Sequence, residues 1–125
     1  AVQNGDIHSM HDPTEGGVIN ACWELGEASG LGVEVWADNI PIARETSEIC
    51  SRLKLDPLKL MSSGCLLAVV APRSVDTANR SLRRVGVRSS LIGRMTRLVD
   101  GRKYILNGRS SNLVAVPRDE LYRLG

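Results

Sequence analysis

The stretch "HDPTEGGVINACWELGEASG" (residues 11–30) carries helical spacing, and "GVEVWA" (32–37), just beyond it, alternates like a strand. Val18, Cys22 and Leu25 fall on one stripe with Ala21 and Ala28 beside it. This predicts a helix over 14–29, stopped by Gly30. Asp12 as N-cap, Pro13 at the first helical position and Glu15 two places later resemble a capping box. Gly16-Gly17 does not fit that picture, because each glycine inside a helix costs about 0.5–1 kcal/mol relative to alanine. Two readings of the pair stay open. The helix start packs closely against another backbone, or an anion such as phosphate approaches the unpaired N–H groups of the helix N-terminus. Glu15 weighs against a bare anion there, unless a metal ion lies between them.

Downstream, residues 43–54 read as a second helix with Ile49 and Leu53 at helical spacing. "LDPLKLMSSG" (55–64) is turn-rich, and "CLLAVVA" (65–71) has the apolar run of a strand buried on both faces. Ser74 is placed to cap a third helix in which Val75, Ala78, Leu82 and Val85 form a stripe. "SSLIGRMTRLV" (89–99), Asp100-Gly101 and "RKYIL" (102–106) read as a hairpin, and Asn107-Gly108 as another turn. "NLVAV" (112–116) is a candidate last strand, and Pro117 to Glu120 a candidate start for a short terminal helix. The fold class expected is α/β (α+β): a mixed, partly antiparallel sheet with helices packed on it.

The 125 residues suffice for one domain. Phe is absent and aromatics make up only 3%, so the core is aliphatic, and a base-stacking nucleic-acid surface is disfavoured. No run approaches the roughly 20 apolar residues of a membrane helix. Cys22, Cys50 and Cys65 are odd in number with no C-x-x-C pair, which argues against a disulfide framework and for a cytoplasmic, reducing location. They read as buried small hydrophobes. The chain begins with Ala rather than Met, as a fragment or processed product would. Residues 1–72 hold 4 Lys/Arg and 10 Asp/Glu, whereas residues 73–125 hold 12 and 4. Arg80, Arg83 and Arg84 lie on the polar side of the third helix, the usual place for solvated charge. Arg94 and Arg97, three apart on a strand, point to opposite faces, and one of them is free to meet a partner domain. His11, beside Asp12, is a candidate cleft residue with Glu15, and His8 a surface one. Two histidines alone do not make a metal site, and no metal ligands are assigned.

The ordered set "MHDPTEGG", "ASGLGVEV", "NIPI" and "LDPLKLMSSGCLLAVVAP", followed by a helix and a hairpin, resembles the C-terminal domain of the aminoimidazole ribonucleotide (AIR) synthase-related superfamily. The likeness runs from about Met10 to the final "PRDELYRL" and is nearest to hydrogenase expression/formation protein E-like members. It implies that residues 1–125 are one such domain. An N-terminal ATP-binding and dimerisation domain, absent from this chain, would complete the enzyme, and the isolated domain would be inactive. It further implies ATP and Mg2+ as cofactors shared with that domain, and ATP-driven activation of an amide-type substrate, a small molecule or a protein tail. The implied partners are the N-terminal domain and, in the full-length protein, a second copy as a homodimer; on composition no membrane is expected and nucleic acid is disfavoured.

Carried over by motif, Asp12, Thr14, Gly16 and Gly17 would face the nucleotide phosphates, together with Ser62, Ser63 and Gly64. Catalytic residues are not assigned. Hydrogenase-type members usually carry Asn-Glu-Gly where Ser62-Ser63-Gly64 stands, and serine cannot do a carboxylate's proton or metal work at neutral pH. They also end in Pro-Arg-Ile-Cys, whereas here Pro117-Arg118 is followed by "DELYRLG" and no cysteine follows Cys65. These departures point to a paralogue of the hydrogenase branch rather than a maturation factor. Two other functional classes remain: a stand-alone phosphate-ligand binding module at the helix start, and a basic nucleic-acid-binding domain in 73–125.

Overall fold

The computed structural model describes residues 7–11, 16–59 and 66–115. In chain order the elements are β1 (Ile7–His11), α1 (Gly17–Ser29), β2 (Gly32–Trp36), α2 (Arg44–Leu53), β3 (Leu67–Val70), α3 (Val75–Arg84), β4 (Gly93–Thr96), β5 (Arg102–Leu106) and β6 (Arg109–Asn112). Short 3-10 turns occupy Ala37–Asn39, Pro57–Lys59, Pro72–Ser74 and Leu98–Asp100. The expected α/β class holds: a mixed four-stranded sheet runs in the order β4-β2-β5-β6, with β2 parallel to β5 and the other pairs antiparallel. The strands do not all join one sheet, because β1 and β3 form a separate antiparallel ladder.

Alternation in β2 sorts its faces. Val33 and Val35 are buried, while Glu34 and Trp36 are half-buried on the opposite face. Ile19 and Cys22 of α1 join the two valines in the core with Ala37, Ile40, Leu58 and Leu113. Leu67 of β3 packs against this cluster and ties the small ladder to the main body. The buried line of α1 runs through Ile19, Cys22 and Gly26; Cys22 and Ala21 are buried and Val18 packs against the core as the spacing predicts, while Leu25 is only half-buried and Ala28 is exposed. Trp23 packs against the core, as a structural tryptophan should.

The 89–106 hairpin is not formed. The Asp100-Gly101 turn exists, with Gly101 N–H donating to the Leu98 carbonyl at 2.9 Å, but β4 and β5 flank β2 instead of pairing with each other. Residues 97–101 step across the start of β2, where an added Cβ on Gly32 would lie 2.3 Å from the Arg97 carbonyl oxygen. The β5–β6 turn is a two-residue hairpin in which Asn107 (φ 52°) and Gly108 (φ 77°) are both left-handed, the geometry that favours Asn-Gly. Among the described residues the last strand is the polar Arg109–Asn112; residues 113–115 of the expected strand 112–116 are not part of a strand, and residue 116 lies outside the described residues.

Three apolar expectations are corrected by where the chain lies. Among the described residues strand β3 pairs only with β1, and Leu66 (59% exposed) and Ala68 are open to solvent, so "CLLAVVA" is not buried on both faces. In α2 the buried residue is Cys50, while Ile49 and Leu53 are exposed. In α3 no residue is fully buried, and Val85, beyond its end, is 74% exposed. Arg80, Arg83 and Arg84 are solvated as expected. The suggested terminal helix after Pro117 lies outside the described residues.

Candidate functional site at the start of the first helix

Both glycines of "DPTEGG" adopt left-handed backbone, with φ of 83° at Gly16 and 69° at Gly17. That conformation costs a residue with a Cβ energy that glycine does not pay. The helix begins at Gly17 and is capped by Gly16, so the pair stands at its start with left-handed backbone rather than inside it, and the expected Asp12 cap lies outside the described residues. Both glycines are buried, and a Cβ on Gly16 would fall 2.6 Å from that of Asn20. Asn20 in turn donates to Glu24 at 3.0 Å, one turn further on. The pair therefore serves a reversal of the backbone and a close approach at once. The first turn of α1 itself carries no acidic residue.

The small ladder positions the approach to this turn. Its register sets His11 opposite Leu67, so the end of β1 that leads on to residue 12 lies beside the start of β3. Of the residues the motif nominated, Gly16 and Gly17 are described, and His11 is described as a β1 position only. Asp12, Thr14, Glu15, Ser62, Ser63 and Gly64 lie outside the described residues, as does Cys65. His8 is a β1 position. Among the described residues no group of three or more His, Cys, Asp or Glu is placed to hold a metal ion.

The far end of α1 holds a feature that sequence reasoning missed. Its last turn has no basic side chain of its own, and Arg102 of β5 supplies one. The Arg102 guanidinium donates to the Gly26 carbonyl at 3.0 Å and the Leu31 carbonyl at 3.3 Å, and pairs with the Glu27 carboxylate. Gly26 is the companion requirement, since a Cβ there would meet Arg102 Nε at 2.6 Å and a Val33 methyl at 2.9 Å. A mid-helix glycine was the only local sign of this contact.

Arg94 and Arg97 are both engaged within the domain, with Glu34 at 3.2 Å and Asp100 at 3.3 Å. Glu34 also accepts from the Trp36 indole at 2.8 Å. That hydrogen bond, helped by Arg94 and opposed by partial burial, holds the Glu34 carboxyl below the usual range. Burial pushes the Tyr104 hydroxyl up, reinforced by the charges of Asp56 and Asp38.

Desolvation pushes the Cys22 thiol from an ordinary value near 9.0 up to about 12. The folded chain holds this proton more tightly than the unfolded one. The associated stability is thus complete below pH 9.0 and is lost as pH rises toward about 12, with no effect on the acid side. Cys22 and Cys50 are both buried, so Ellman's reagent near pH ~8 should modify neither in the native protein and both after denaturation. A native adduct on Cys22, located by peptide mass spectrometry, would contradict this burial.

Among the described residues no helix is long and apolar enough to cross a membrane. Comparison with known proteins places these features in a family. Residues 1–103 match the family described as AIR synthase related protein, C-terminal domain. The chain is 34% identical over 93 residues to the Methanocaldococcus jannaschii protein MJ0676, assigned provisionally to hydrogenase expression/formation, covering 73% of this chain and 28% of that one. It is 34% identical over 95 residues to carbamoyl dehydratase HypE of Rhizobium leguminosarum bv. viciae, covering 74% and 27%. It thus spans a little over a quarter of these relatives' length. Among solved structures, E. coli HypE, a hydrogenase maturation protein, superposes on 99% of this chain and 40% of its own, with a TM-score of 0.83 at 23% identity. HypE in complex with ATP superposes on 90% of this chain and 37% of its own, with a TM-score of 0.81 at 24% identity. The motif order, the mixed sheet and these matches agree: the chain belongs to the AIR synthase-related C-terminal domain family.

Proposed function

We propose that this chain is the C-terminal domain of an ATP-dependent, HypE-like enzyme, and that its first-helix start closes a phosphate site shared with an N-terminal domain. The observation that supports this most is the register of the small ladder, which sets His11 at the end of β1 opposite Leu67 at the start of β3, together with the left-handed Gly16-Gly17 pair that opens a helix with no acid in its own first turn. That arrangement suits an anion. Asp12 and Thr14 after β1, and Ser62, Ser63 and Gly64 before β3, would line the phosphate side of the cleft. Mg2+, for which the described residues offer no ligand cluster, would be held chiefly by the N-terminal domain. Bound ATP would supply the phosphoryl group that turns an amide-type oxygen into a leaving group. This chain's residues would orient the phosphates and exclude water from them. The open ladder, with Met10 45% and Leu66 59% exposed, is apolar surface suited to cover by the missing domain. Ser62-Ser63 in place of an acid favours a paralogue whose acceptor differs from that of the hydrogenase branch.

The test is ATP turnover by the chain joined to its N-terminal domain, in wild type and in variants of the nominated turns. Asp12→Asn and Ser63→Ala should each weaken ATP use about tenfold or more, the cost of losing a hydrogen bond to a charged group. Variants within twofold of wild type at both positions would remove Asp12 and Ser63 from the site.

A further inference from the structure

A second surface, remote in sequence from the glycine pair, lies along α3. A groove of about 360 Å3 is bounded by Pro41, Asn79, Arg83 and the 86–90 loop, including Val87 and Arg88. A second depression of about 420 Å3 shares Asn79 and Arg83 and extends the trough toward Arg80 and Asp76. The loop is fixed to the helix by the Ser89 hydroxyl, which donates to the Asn79 side-chain oxygen at 2.7 Å and leaves the Asn79 amide NH2 available as a donor. Arg83, Arg84 and Arg88 have no side-chain ion pair or hydrogen bond in the described structure, unlike Arg44, Arg94, Arg97 and Arg102. Val85 (74% exposed), Val87 and Leu91 (each 48% exposed) alternate with these cations along the chain.

We infer that this trough binds an acidic, partly apolar segment of a partner protein. The uncompensated Arg83 and Arg88 guanidinium groups in the lining set the sign of the ligand, and Val87 and Pro41 beside them give a peptide segment apolar contacts that a free phosphate could not use. The elongated shape, two depressions sharing one rim, suits several carboxylates in a row. Nucleic acid is the poorer occupant, because no aromatic side chain lines the trough to stack on a base.

The experiment is a 15N-HSQC titration of this chain with deca-glutamate at low ionic strength, with deca-glutamine and an oligo-dT of equal length as comparators. Amide shifts should cluster between Asn79 and Leu91. Arg83→Gln/Arg88→Gln should weaken deca-glutamate binding about fivefold or more, as expected for two exposed charge pairs. Arg109→Gln, an exposed cation on β6 away from the trough, should change it less than twofold. The Gln variants should keep the wild-type spectrum elsewhere, which separates lost binding from lost folding. The inference is overturned by shifts spread over the whole basic half, by no saturable shift, by equal losses in the Arg109 variant, or by tighter binding of oligo-dT at the same residues. Dimerisation with the same shifts and no peptide present would assign the trough to a second copy of the chain and overturn it equally.

Discussion

Gly32→Ala is expected to cost about 3 kcal/mol or more and to leave little native protein, near the top of the range for single substitutions. The reason is local and steric. The crossover 97–101 passes over the first residue of β2, and the new methyl would lie 2.3 Å from the Arg97 carbonyl oxygen, 2.6 Å from that of Gly101 and 2.4 Å from Thr96 Oγ1. Two of these three atoms are backbone, the Arg97 carbonyl accepting from Asp100 N–H at 2.9 Å and the Gly101 carbonyl from Val33 N–H of β2 at 3.2 Å, so they cannot swing aside as a side-chain end would. Gly30→Ala is the matched control. Gly30 is left-handed (φ 70°) with nothing within 4 Å of a new Cβ, so only the conformational cost of about 1 kcal/mol applies. Urea unfolding of the two variants should rank them in that order. A Gly32→Ala midpoint at or above that of Gly30→Ala would mean that the crossover does not run over β2.

Arg102→Met should lose about 2–3 kcal/mol while keeping most of the apolar stem. The Arg102 side chain is only 18% exposed, and its guanidinium satisfies the Gly26 and Leu31 carbonyls at the end of α1, which would otherwise lose their charged donor. Glu27→Gln should cost less than about 1 kcal/mol, since the Glu27 side chain is half exposed and its share of the pair is screened by solvent. Arg102→Lys should not restore stability, because a single ammonium cannot reach two carbonyls and a carboxylate as the planar fork does. A double-mutant cycle of Arg102 with Glu27, read by thermal unfolding, separates the ion pair from the carbonyl contacts. If the coupling accounts for the whole loss, the helix-end role of Arg102 is wrong.

Local patterns carried much of the fold. The alternation of "GVEVWA", the stripe of α1 and the Asn107-Gly108 turn each point to an element that is present, because period and turn chemistry are properties of adjacent residues. Strand order is not such a property. "GRMT" and "RKYIL" look like hairpin arms, yet β2, some sixty residues upstream, inserts between them, and the glycines at the close approaches, Gly32 and Gly93, are what record this in the sequence. Burial failed where an element has one neighbour instead of two: β3 reads as a central strand but has β1 as its sole ladder partner in the described structure.

At the site, the anomaly of Gly16-Gly17 was legible and its immediate cause was not. A pair of left-handed residues and a pair exposed to a ligand look alike as letters. Arg102 left no mark in its own neighbourhood beyond the distant mid-helix Gly26, since the carbonyls it serves are more than seventy residues away.

The most direct measurement of the shared phosphate site is calorimetric titration of Mg-ATP into this chain alone and into the chain joined to its N-terminal domain. Saturable binding by the joined form only is the predicted result, and it would make Gly16-Gly17 the closing half of a two-domain site. Equal binding by the isolated chain would contradict the shared site, and no binding by either would leave the glycines as backbone geometry and remove ATP from the account.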